Sequence, residues 1–235
     1  MEDFILTLRN ELKENSDEKT RQSSQRFFKE TIKVYGLKSS DVRKISKKYF
    51  KEIKEKPKEE IFALSEELWK SGILEETFIA CDWTYSLHKD FTVNDFETFE
   101  RWIKTYINNW ASCDTFCNHT MGSFIDKYPE YIEKLKDFAK SNNRWVRRTA
   151  AVSLIIPARE GRYLKEIFEI ADILLLDKDD MVQKGYGWML KEASKPYQKE
   201  IFDFVVSNKK IMPRTALRYA IEKMPKELKQ NAMKK

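Results

Sequence analysis

The stretch SDVRKISKKYFKEI, Ser40–Ile53, decides the fold class. Its apolar residues Val42, Ile45, Tyr49 and Ile53 recur every three or four positions, which is one face of a 3.6-residue period. The same spacing continues outward in both directions. Upstream, MEDFILTLRNELKEN places Phe4, Ile5, Leu8 and Leu12 in register. Downstream, PKEEIFALSEELWKSG opens with Pro57, suited to a first helical turn, and stops at Gly72. LEETFIACDWTYSLHKD follows, and then TVNDFETFERWIKTYI, which begins with a Thr92-x-x-Asp95 capping pattern. Further helices are predicted at about 110–126, 130–140, 143–156, 161–175, 179–194, 197–207 and 213–223. Only 6 Gly and 6 Pro punctuate 235 residues, and strand-like alternation is scarce, so the chain is predicted to be all-α.

About a dozen helices with short connections make successive helices antiparallel neighbours. Helix pairs recurring about every 35–45 residues predict an α-solenoid of HEAT-like or armadillo-like repeats. The expectation is one such domain over residues 1–235, with a concave face for an extended ligand. A globular helical bundle is the alternative all-α arrangement.

Composition narrows the class. With 35% charged and 41% hydrophobic residues the chain is globular rather than disordered. The longest apolar run, IADILLL (Ile170–Leu176), falls far short of the ~18 residues of a membrane span, so no membrane partner is expected. The N-terminus carries acids among its apolar residues and has no signal-peptide layout. Three cysteines imply no disulfide framework and fit a reducing, cytoplasmic setting. The net charge of +6 comes from 44 basic against 38 acidic residues, too small an excess to indicate nucleic acid by itself.

Three stretches carry candidate chemistry. In NNWASCDTF, Trp110 and Asp114 lie one helical turn apart on one face. In RWVRRTAAVSLI, Arg144, Arg147 and Arg148 share the start of a helix. In KGYGWMLKEASK, Trp188 sits beside two glycines in a helix, where each costs about 1 kcal/mol relative to alanine and often marks close approach of a backbone or a ligand. Each has a bland counterpart: a core tryptophan, a capping or ion-paired aspartate, a solvated arginine face. Cys113, Cys117 and His119 lie close together but lack a fourth ligand for a tetrahedral metal site, so buried cysteines are the better reading and no metal is expected. No phosphate loop, HExxH or GxSxG is present.

From about Arg21 to Tyr219 the chain resembles the AlkD-type DNA alkylation repair glycosylases, a family with a HEAT-like repeat fold. The residues that carry the resemblance are YGLKSSDVRKI (Tyr35–Ile45), NNWASCD (Asn108–Asp114), RWVRRTA (Arg144–Ala150) and KGYGWMLKEASK (Lys184–Lys195). The tryptophan–aspartate pair and the tryptophan after Gly-Tyr-Gly are its specific parts. The resemblance implies that Asp114 is the catalytic carboxylate, that Trp110 and Trp188 flank the lesion nucleotide, and that Arg148 grips the DNA backbone, with Arg147 and Arg43 as weaker candidates. The third cleft aromatic, usually tyrosine, matches Phe27, and the residue after the first tryptophan, often aspartate, is Ala111. The implied reaction is hydrolysis of the N-glycosidic bond of N3- or N7-alkylated purines in double-stranded DNA. It would proceed without base flipping, cofactor, metal or strand-cleaving lyase step, in a protein expected to act as a monomer. The departures at Phe27 and Ala111 keep open a non-catalytic paralogue that binds damaged or branched DNA. A protein-interaction scaffold is the third possibility for any α-solenoid.

Overall fold

The computed structural model describes residues 2–234. All regular structure among them is helical, apart from one isolated bridge between Lys33 and Ile73. The chain divides into two compact units, residues 1–115 and 116–235.

The first unit contains α1 (Glu2–Glu14), α2 (Glu18–Gln25), α3 (Ser39–Ile53), α4 (Lys58–Ser71), α5 (Leu74–Ser86) and α6 (Asp95–Thr105), and α7 (Trp110–Phe116) begins in it. The predicted face of α3 is the buried one: Val42, Ile45, Tyr49 and Ile53 all point into the core. Gly72 closes α4 in the left-handed conformation, φ 67°, and α5 folds back against α4 after it. Pro57 stands one residue ahead of α4, at its cap, rather than within the first turn. The cap expected at Thr92 forms in its reciprocal half only. Asp95 Oδ2 reaches back to accept from Thr92 N at 2.7 Å, and the helix starts at Asp95 itself. Lys58 Nζ, 2.8 Å away, neutralises that carboxylate.

The Tyr35-Gly36-Leu37 stretch has a structural explanation. Gly36 has φ +99°, and a Cβ there would meet Asp17 O at 2.5 Å. The three successive backbone N–H groups of Tyr35, Gly36 and Leu37 donate to the buried Glu75 carboxylate at 2.8–3.1 Å. The neighbouring Glu76, fully buried, accepts from the Arg9 guanidinium and from the Tyr35 hydroxyl at 2.6 Å. Both glutamates lie in the first turn of α5, where the helix dipole favours negative charge. This knot fixes the entry to α3.

The second unit holds α8 (Gly122–Lys127), α9 (Ile132–Phe138), α10 (Arg144–Val152), α11 (Ile155–Arg159), α12 (Leu164–Leu174), α13 (Asp180–Ala193), α14 (Gln198–Asn208), α15 (Arg214–Ala220) and α16 (Lys226–Met233). Helix α13 is its spine, packed on α10, α11, α12 and α15. Two expected helices are interrupted. The segment predicted at 110–126 contains a π-helical turn, Cys117–Met121, between α7 and α8. The segment predicted at 143–156 breaks after Val152, because Pro157 lacks an N–H and its ring would strike the carbonyl four residues earlier, that of Ser153. Helices α2 and α16 were not foreseen.

Candidate active site

Four of the six tryptophans, Trp69, Trp83, Trp102 and Trp145, are buried. The core does not absorb the other two, Trp110 and Trp188, which are both partly exposed. These are the two that the sequence singled out.

In the first unit, Trp110 is the opening residue of α7 and Asp114 follows one turn later, also partly exposed. Asn109 starts the helix: its Oδ1 accepts from Ser112 N at 2.9 Å, and its own side chain is buried. The flanking Ala111, Ser112 and Cys113 are buried, so the helix is gripped on that side and presents Trp110 and Asp114 together on the other. The indole is fixed twice. Its Nε1–H donates to Phe27 O at 3.2 Å, and its ring stacks on Phe28 at 5.2 Å between centroids and 19° between planes. The turn carrying both phenylalanines is held in place by Gln25, whose amide donates to Glu30 O at 2.8 Å and accepts from Ile32 N at 3.1 Å. Phe27 itself projects outward, 74% exposed. A cavity of about 220 Å³ opens beside these rings, lined by Phe27, Phe28, Leu37, Val42, Trp110 and Ala111. Arg43 is exposed on α3, where it borders a smaller cavity with Asp82 and Thr115.

The first unit therefore brings Phe27 and Trp110 together. It also adds Phe28, Gln25 and Asn109, which sequence reasoning missed. Asn before Trp in NNW was a legible cap signal; the choice between the two rings of SQRFFKE was not.

In the second unit, Asn143 caps α10 by accepting from Trp145 N at 2.9 Å. Arg147 is engaged within the unit: Nε and Nη2 reach Asp177 at 2.6 and 3.3 Å, and Nη1 donates to Ser141 O and Asn142 O. A phosphate would compete with Asp177 for it. Arg148 is nearly closed to solvent, 4% exposed, and donates from Nη1 to Met181 O in the first turn of α13. The two glycines of α13 each answer to a neighbour. A methyl at Gly185 would lie 3.2 Å from Arg148 Cγ and 3.4 Å from its Nη1. A methyl at Gly187 would strike Tyr219 Cβ at 2.7 Å and Ala216 O at 2.8 Å, on α15. The glycines thus mark close protein contacts, and Trp188 follows them on the same helix. Between them, Tyr186 donates to Leu175 O at 3.1 Å, and burial pushes its hydroxyl pKa well up. Cys113 and Cys117 are fully buried, and Cys117 Sγ contacts Thr149 Oγ1 at 3.3 Å. His119 is exposed.

The fold is all-helical, and among the described residues Trp110 and Asp114 lie partly outside its core, one turn apart. The family model described as DNA alkylation repair enzyme matches residues 8–224, so the chain belongs to that family and has a role in DNA repair. A solved structure, a predicted DNA alkylation repair enzyme from Enterococcus faecalis, is similar at 18% identity and a TM-score of 0.80, covering 90% of this chain and 98% of that one. At that identity the likeness supports the fold alone. None of the curated proteins matches the sequence.

Proposed function

We propose that the protein is a monofunctional DNA glycosylase that releases purines alkylated at N3 or N7, such as 3-methyladenine and 7-methylguanine, from duplex DNA. The observation that carries this reading is the pairing of the partly exposed Trp110 and Asp114 on one turn of α7, within a chain of the DNA alkylation repair family.

The chemistry asks little of the protein. An N3- or N7-alkylated purine is cationic, so when the C1′–N bond breaks its electron pair neutralises the departing base. No general acid is needed. Positive charge develops on the deoxyribose, and a fixed carboxylate facing that sugar stabilises it. Asp114 is assigned this role, and also that of orienting the water that attacks C1′ and accepting its proton. The indole of Trp110 offers an electron-rich face to the cationic sugar, worth roughly 0.5–2 kcal/mol. Its double anchoring to the Phe27–Phe28 turn keeps it in register with the carboxylate. Trp188, Arg148 and Phe27 are assigned contacts with the lesion strand by the family resemblance. Arg43, the one exposed residue among Arg43, Arg147 and Arg148, is the readiest to meet a phosphate. Phosphate contacts read no sequence, so binding should be sequence-neutral and salt-sensitive. The protein is proposed to act as a monomer in the cytoplasm, on the nucleoid.

The test is release of 7-methylguanine from methylated duplex DNA by the intact protein and by Asp114→Asn. Release that falls 10²–10³-fold or more in the variant, a range of the order found when one electrostatic partner is removed, with duplex binding kept, supports the glycosylase. Duplex binding with no release above the spontaneous rate favours the non-catalytic reading, for which Phe27 and Ala111 are the specific departures.

A further inference from the structure

Helix α3 carries more charge than its own unit compensates. With Val42, Ile45, Ser46, Tyr49 and Ile53 turned inward, its outer surface presents Arg43, Lys44, Lys47, Lys48 and Lys51. Two of these are paired: Lys44 Nζ lies 3.0 Å from Asp41, and Lys48 Nζ lies 2.6 Å from Glu11. Arg43, Lys47 and Lys51, at i, i+4 and i+8, have no carboxylate within ion-pair distance among the described residues. Some exposed helix cations take an acidic partner one turn away, as Lys70 does with Glu67, Lys104 with Glu100 and Lys199 with Asp203, and α3 instead sets three in one row without one. Like charges one turn apart repel, so a row of three weakens the helix that carries it. Such a row suits an external polyanion.

Its dimensions suit one polyanion in particular. At 1.5 Å per residue, Arg43 to Lys51 spans about 12 Å, with a charge every ~6 Å. A strand of B-DNA advances 3.4 Å along the axis per phosphate, so the row subtends three to four phosphates of one strand. We propose that the outer face of α3 is a backbone-tracking surface for duplex DNA, in which Lys47 and Lys51 extend the contact begun by Arg43. This rests on the reading of the protein as a duplex-DNA binder, and not on base release.

The experiment is the salt dependence of binding to an undamaged duplex. Lys47→Gln/Lys51→Gln leaves Arg43 in place and is expected to reduce the slope of log K against log[salt] by about 1.8, two phosphates at ~0.9 each. The paired control Lys44→Gln/Lys48→Gln is expected to change it by less than half as much. All four side chains are exposed, so each variant should shift thermal melting only slightly, which separates lost contacts from lost structure. An unchanged slope in the first variant, or an equal fall in the control, overturns the proposal, as does a wild type that does not bind duplex. The glycosylase reading is scored separately by 7-methylguanine release. A protein that shows the slope change but releases no base keeps the α3 surface and loses the enzyme.

Discussion

Alanine at Gly187 should destabilise the protein, against the usual sign for a helix interior. In an open helix, Gly→Ala is favourable by about 1 kcal/mol, because alanine loses less backbone entropy. At Gly187 the new methyl would sit 2.7 Å from Tyr219 Cβ, 2.8 Å from Ala216 O and 3.1 Å from Ala216 Cα. Two of these atoms are α15 backbone and cannot rotate away. Restoring an ordinary ~3.5 Å carbon contact requires the helices to separate by about 0.8 Å, and a gap of that size forfeits a quarter to a half of the dispersion energy along the interface. Overpacking of this kind costs about 1–3 kcal/mol. Because α13 is the spine of the second unit and α15 is among its main partners, the upper half of that range applies, and about 1.5 kcal/mol remains after the propensity gain. For a chain of this length that is a fall in Tm of roughly 3–6 °C. Gly185→Ala is the control. Its nearest neighbours are the Arg148 side-chain atoms Cγ and Nη1, at 3.2 and 3.4 Å, and a side chain can yield. Its Tm should stay within about 2 °C of wild type, and on the proposed contact of Arg148 with DNA its duplex affinity should fall. Thermal melts followed by circular dichroism decide the matter. A Gly187→Ala protein melting at or above wild type would refute the close-approach account of this glycine.

Removing Arg147 tests whether it holds the fold or the DNA. Arg147→Ala strands the nearly buried Asp177 carboxylate and should cost about 3 kcal/mol, with the salt slope of duplex binding unchanged in the folded protein. Phe28→Leu removes the partner stacked on Trp110, a contact worth ~0.5–1.5 kcal/mol beyond its buried area; Trp110 fluorescence should shift to the red and the rate of base release should fall more than affinity does. Acid unfolding should report on Glu66. The Arg101 guanidinium, helped by the Tyr106 hydroxyl at 2.9 Å, holds its carboxyl below the ordinary 4.5. Its contribution is therefore complete above about pH 4.5 and is lost as pH falls below that, so Glu66→Gln should flatten the acid limb of the stability profile there.

Which parts of this molecule the sequence could reveal follows from where the causes lie. The face of α3 was legible because burial and period coincide locally: Val42, Ile45, Tyr49 and Ile53 all turned inward. So was the stop at Gly72, whose left-handed φ is a property of one residue. The break before α11 was legible in principle, since Pro157 acts only four residues back, on Ser153. The π-turn at Cys117–Met121 was not. Gly122, which follows it, would bring a Cβ to 3.2 Å from Ser153 O, a neighbour thirty-one residues on, and no local pattern encodes such a contact. The same limit applied to the arginines of RWVRRTA. Sequence places three cations at one helix start, but only Asp177, Asp179 and the Met181 carbonyl, supplied from the approach to α13 and its first turn, determine how they are engaged.

That distinction bears on the two departures from the family pattern. A tyrosine replaced by Phe27 loses a hydroxyl, yet Trp110 does not depend on that group: its Nε1–H is held by the backbone oxygen of residue 27, which every amino acid supplies, and its ring is held by Phe28. Ala111 is buried beside Trp110 and leaves the adjoining cavity wall apolar where the family often has a charge. Neither change touches the Asn109 cap or the spacing that sets Asp114 one turn from the indole. On the proposed function, the departures alter what the exposed Phe27 ring and the cavity would offer a lesion, and they leave the positioning of the carboxylate intact. Phe27→Tyr should therefore change discrimination among alkylated bases, while Phe28→Leu should lower release of all of them. If restoring the hydroxyl alone raised every substrate equally, the anchoring of Trp110 through the backbone at residue 27 would be the wrong account of this site.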